Sequence, residues 1–101
     1  MKKIKIGYKD YKLLEQEECV MNYHGCTDSV KDFIIVNKST SLDEQLDTFI
    51  HEILHAIYYT YHILPEDDEE RTVAMLAHGL TAAFKDNKGL LNKLQTMLNI
   101  K

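Results

Sequence analysis

The stretch "TFIHEILHAIYYTYH", Thr48 to His62, sets two histidines around a glutamate in the spacing His51-Glu52-x-x-His55. Residues four apart on a helix lie one turn apart, so the two imidazoles project side by side. Imidazole is a good zinc ligand, and a pair of them leaves a site that needs a third protein group. Glu52 departs from the same turn in a direction that does not easily reach the same ion. Its expected task is proton transfer, from a water that the metal activates to a leaving amine. Zinc makes this feasible by lowering the pKa of such a water to about 7. The plainer reading, histidines at the margin of a packed helix, stays open on these residues alone.

The elements around the motif must hold it rigid. Ser41 followed by Glu44 is a capping-box signature for a helix start. Leu42, Leu46, Phe49, Ile50, Ile53 and Ile57 recur at helical spacing, which predicts a helix to about Tyr61, ending before Pro65, the single proline. On a helical wheel His51 and His55 fall about 100–140° from Ile50, at the margin of that stripe. "LPEDDEE" reads as a turn whose acidic cluster suits the positive end of a following helix. Val73, Leu76, Ala77, Leu80 and Phe84 mark the inward face of that second helix, which should end near "KDN". Glu69 and Glu70 both lie within about 60° of this face. Either can reach the histidines if the two helices pack antiparallel, and the wheel favours Glu69 only slightly. His78, about 140° off, reads as a surface residue. Leu90, Leu91, Leu94, Met97 and Leu98 predict a short third helix that closes the core.

The first third of the chain has period 2. "KIKIGYKDYKLLEQE" alternates through Ile4, Ile6 and Tyr8 with a turn near Gly7 to Asp10, and Lys2, Lys3 and Lys5 suit an edge strand blunted by charge. "CVMNYHGCTDSVKD" is rich in turn formers and reads as a hairpin connection or loop. "DFIIVNKST" is a short β-branched run, hence a strand. The expectation is an α+β fold: a small N-terminal antiparallel or mixed sheet followed by three helices, with the motif on the first long helix, in one domain spanning 1–101.

A hydrophobic content of 45%, a charged content of 28% and a net charge of -4 describe an ordinary globular chain. No dense basic block offers a phosphate-binding face, so nucleic acid is not an expected partner. No run approaches the roughly 18 apolar residues that span a bilayer, and the first residues lack the apolar centre of a signal peptide. A cytosolic location is expected. Cys19 and Cys26, with His24 between them, match no familiar zinc knuckle and read as two reduced thiols in or near a loop.

"TFIHEILHAI…EERTVAMLAHGLTAAFKDN" resembles the small phage and prophage proteins related to the ImmA/IrrE and SprT-like zinc metallopeptidases. The resemblance covers roughly Asp32 to Asn87 well and the amino-terminal strands loosely. It implies a minimal zincin-like fold that binds Zn2+. The third ligand then stands three residues before the valine of the second helix, at Glu70 rather than Glu69. His51, His55 and Glu70 would bind the metal, and Glu52 would be general base and then general acid. Such enzymes bind peptide as an added strand at the sheet edge, for which Phe33, Ile34, Ile35, Val36 and Asn37 are the candidates. The implied function is a zinc-dependent metallopeptidase acting on a protein or peptide partner, phage or prophage encoded and working in the bacterial host cytosol. SprT-like relatives add a separate zinc or basic module for DNA, and none is expected from these residues. Tyr58, His62, Arg71 and Tyr23 are candidates for the oxyanion donor on spacing. The alternative is a non-catalytic regulatory or binding module in which zinc is structural.

Overall fold

The computed structural model describes residues 1–16, 24–63 and 68–99. Its elements run β1 (Lys3–Ile6), β2 (Lys9–Gln16), β3 (Gly25–Asp28), β4 (Phe33–Asn37), α1 (Leu42–Thr60), α2 (Glu69–Asp86) and α3 (Leu90–Met97). The fold is α+β, a small mixed sheet followed by three helices. The strand order is β1-β2-β4-β3, with β2 and β4 parallel and the other two pairs antiparallel. Cys19 and Tyr23 lie outside the described residues.

Two expectations about the sheet are corrected. The segment read as a loop contains β3, which pairs with β4 from Gly25↔Val36 to Asp28↔Phe33. A four-residue strand with one apolar side chain leaves little periodicity to detect. Phe33, Ile34, Ile35, Val36 and Asn37 consequently form an inner strand, not an edge. β2 hydrogen-bonds one side of it and β3 the other. That position explains its unbroken apolar run, because Ile34, Ile35 and Val36 are all buried.

The turns of the sheet are specific. Gly7 sits between β1 and β2 at φ +60, and a Cβ there would lie 2.7 Å from Thr60 Cγ2, so conformation and space both call for glycine. Between β3 and β4 the Asp28 carboxylate accepts the N–H groups of Val30 and Lys31, each at 2.9 Å. This Asx-type turn brings the chain back along β4.

α1 is the central element, with the sheet on one side and α2 on the other. The Ser41 hydroxyl accepts the Glu44 N–H and caps its start. At its other end His62 takes φ 55, and the N–H groups of His62 and Ile63 return to the carbonyls of Tyr59 and Tyr58. That is a Schellman stop with histidine where glycine is usual. Phe49, Ile53, Ile57 and Ala56 meet Ile6, Tyr11, Ile34 and Val36 of the sheet. Tyr11 is fully buried, and its hydroxyl pairs with Thr60 Oγ1 at 3.2 Å. Burial of a side chain of this kind contributes about 1.5–3 kcal/mol. Leu42, expected on the apolar face, is 82% exposed.

The two later helices also differ from expectation. α2 buries Val73, Ala77 and Thr81, while Leu76 and Leu80 face outward. α3 packs against α2 but buries none of its residues, so it does not close the core. Small side chains let α2 approach α1 closely, and the alternation of Val73, Ala77 and Thr81 at four-residue spacing carries that contact. Among the described residues no helix is long and apolar enough to cross a membrane.

Gly25 sets how tightly β3 docks. A Cβ there would lie 2.5 Å from the Ile35 carbonyl oxygen and 2.6 Å from Thr48 Cγ2. Gly25→Ala must therefore push the strand off α1, with an expected loss of roughly 1–3 kcal/mol in denaturant unfolding.

Candidate metal centre

His51, Glu52 and His55 stand on α1, and Glu69 and Glu70 form the first turn of α2. The antiparallel packing of the two helices brings them together. His51 Nε2 and His55 Nε2 lie 3.1 Å apart. Glu70 spans both, with Oε1 at 2.8 Å from His51 Nε2 and Oε2 at 2.8 Å from His55 Nε2. One donor atom from each of His51, His55 and Glu70 lies within 4.8 Å of the others, and this group can hold a metal ion.

The two acidic candidates divide the work between them. Glu69 approaches the far side of the His55 ring, with Oε2 at 3.0 Å from Nδ1. A carboxylate there accepts a hydrogen bond from Nδ1–H, which keeps the proton on that nitrogen and leaves the Nε2 lone pair directed at the centre. Glu69 thus stands where it would orient His55, and Glu70 belongs to the group that can hold an ion. Helical periodicity could not separate them, because adjacent residues at a helix start differ by a single 100° step.

Glu52 is 7% exposed. The Thr27 hydroxyl, from β3, stands 2.8 Å from Glu52 Oε1 and 3.0 Å from the Glu52 carbonyl oxygen. Burial pushes the Glu52 carboxyl above its ordinary value, against the opposing pull of the Thr27 hydrogen bond and of the neighbouring His51 and His55. A carboxyl so held can take up and release a proton closer to neutral pH than an exposed one. Thr27 carries no motif, and the sequence held no signal for it beyond its place beside a glycine that lets the strand come close.

The centre opens on both sides. A cleft of about 590 Å³ includes His24, Asp47, His51, Glu52, Glu70 and His78 in its lining. A second, of about 370 Å³, includes Thr27, Glu52, His55, Tyr59 and Glu69. No protein-family model, curated protein or solved structure matches this chain. The site stands on its own geometry.

Several further residues were not legible as a set. The His78 side chain is 58% exposed, as its wheel position suggests, but it pairs with Asp47 across the helices at 2.5 Å. Lys85 meets Asp43 at 2.7 Å. Asp43, Asp47, His51 and His55 therefore form one stripe of α1, matched along α2 by Lys85, His78 and the two glutamates. Exposed pairs of this kind contribute about 0–1 kcal/mol each, so they fix register more than they add stability. Tyr59, four residues beyond His55, lines the second cleft, whereas Tyr58, His62 and Arg71 line neither.

Two outcomes follow for this site. Glu69→Gln should weaken divalent-metal affinity about 10–100-fold in a chelator competition titration while leaving the far-ultraviolet spectrum unchanged. The second concerns Glu52. The unfolded chain ionises it near 4.5 and the folded chain at higher pH. Stability therefore falls as pH rises from the first value through the second, and stays reduced above it. Glu52→Gln should raise the Tm of the metal-free protein at about pH 7, and the gain should vanish near pH 4.

Proposed function

We propose that this chain is a zinc-dependent peptidase that hydrolyses peptide bonds of a protein partner. The observation that carries the reading is the meeting of His51 Nε2, His55 Nε2 and the Glu70 carboxylate, with the buried Glu52 on the same cleft walls. Two imidazoles and one carboxylate are a donor set that suits catalytic zinc and leaves a coordination position for water or substrate. The orientation of His55 by Glu69 is what such a ligand requires. When bound, zinc supplies a water of lowered pKa and polarises the scissile carbonyl.

The remaining steps fall to the chain itself. Glu52 takes a proton from the attacking water and returns it to the leaving amine, and its raised pKa suits both transfers. Thr27 holds the Glu52 carboxylate in place. Tyr59 is the phenol on the cleft wall from which the developing oxyanion can accept a hydrogen bond. The peptide pairs along β3, the edge strand beside the centre, with clefts to either side of the cut. The likeness to the ImmA/IrrE and SprT-like peptidases belongs to the same proposal, as do a phage or prophage origin and a site of action in the host cytosol.

The test has three parts. Purified protein should carry about one zinc per chain, and His51→Ala should lose it. Incubation with a peptide library derived from bacterial lysate should give defined cleavages by mass spectrometry. Glu52→Gln should keep the zinc and slow cleavage by about 10²–10⁴-fold, and Tyr59→Phe by about 10²-fold. Cleavage by Glu52→Gln at the wild-type rate would overturn the assignment, and a structural zinc module would show that indifference to Glu52.

A further inference from the structure

The larger of the two clefts runs along α1, away from the histidines and toward the start of the helix. His51, Glu52 and Glu70 line one end of it, and Asp47 and Glu44 follow one and two turns before His51. β3 borders the cleft with Gly25 against Thr48, and Thr27 against Glu52, so strand and helix run in the same sense. Ala74 and His78 of α2 stand on the facing wall.

Fixed charge in this space has one sign. Of the twelve lysines and arginines in the chain, none among the described residues lines either cleft. Four carboxylates line the larger one, and its basic groups are the imidazoles of His24, His51 and His78. Glu52 and Glu70 are engaged at the centre. Glu44 and Asp47 are not, since neither belongs to the group that can hold an ion. Asp47 is nevertheless held in place. Its side chain is 27% exposed, and Oδ2 meets His78 Nδ1 at 2.5 Å. Among the described residues Oδ1 meets no donor, and neither does the Glu44 carboxylate. A carboxylate has about four acceptor sites, so most of this capacity is unused. A cleft lined by one sign of charge concentrates the opposite sign within it.

We propose that this cleft receives a lysine or arginine side chain of the substrate, two or three residues to one side of the scissile bond, with Asp47 and Glu44 as its acceptors. The inference rests on the peptidase reading for the path of the peptide along β3. Distance sets the position. His51 to Asp47 is about 6 Å along the helix, and an extended chain advances about 3.3 Å per residue. His78 is a positioning residue, which fixes the Asp47 carboxylate against the cleft. The second cleft offers no such acceptor. Its carboxylates, Glu52, Glu69 and Glu70, are all engaged by Thr27 or the two histidines, so the preference falls on one side of the cut.

The test is binding, read by fluorescence anisotropy on zinc-loaded Glu52→Gln protein, which holds peptides with little turnover. The probes are three labelled alanine–valine octapeptides that carry arginine, glutamine or glutamate at one position. The arginine peptide should bind at least about tenfold more tightly than the glutamine peptide, and the glutamate peptide more weakly than either. Glu44→Gln combined with Asp47→Asn should erase the arginine preference. Asp10→Asn combined with Asp86→Asn, an equal loss of charge outside both clefts, should keep it. Equal affinity for the arginine and glutamine peptides, no measurable binding of either, or a preference that survives loss of the Glu44 and Asp47 charges would each overturn the proposal. An arginine preference in a chain that cuts no peptide would instead overturn the peptidase reading and leave the cation preference of the cleft standing.

Discussion

Electrostatics at one point governs this molecule. With Glu69 engaging Nδ1 of His55, a neutral ring turns its Nε2 lone pair toward Glu70 Oε2, 2.8 Å away. Two acceptors at that distance repel, and His51 Nε2 crowds the same space. Positive charge must stand among them, as a proton or as a metal ion, and the two compete for the same lone pairs. The arrangement ties the His51–His55 turn of α1 to the first turn of α2. Farther along, Asp47–His78 and Lys85–Asp43 keep the same register with weaker pairs.

The sheet contributes less chemistry and more constraint. Its buried strand β4 and the fully buried Tyr11 give α1 a firm bed. Among the described strands β3 alone reaches the centre, through Thr27, and it does so because Gly25 has no side chain to hold it away. The carboxylate it steadies is costly. A group of 7% exposure whose pKa is raised by burial takes stability from the fold at neutral pH. Sites that need a poised acid commonly carry such a local cost.

Much of this was legible before the structure. The cap at Ser41, the run of α1, the change of period from 2 to 3.6 and the order of sheet then helices are written in local pattern, where neighbouring residues carry the signal. His51, Glu52 and His55 were equally plain, since one helix turn fixes their relation. The placement of Glu69 and Glu70 was not, because only the packed helices show which ring nitrogen each carboxylate meets. β3 and Thr27 were hidden for a different reason: a strand of four half-buried residues is defined by its partner, and pairing is not a local property. The outward turn of Leu76 and Leu80 shows the limit of apolar periodicity, which counts hydrophobic faces without saying what covers them.

The parts of the centre come from three places in chain order: Thr27 on the sheet edge, then the motif on α1, then the glutamates of α2. A nascent polypeptide that has left the ribosome only as far as Tyr61 already carries both histidines and Glu52, yet has neither the carboxylate that bridges the rings nor the one that orients them. The cluster of His51, His55 and Glu70 is therefore incomplete until α2 has been made and has packed against α1.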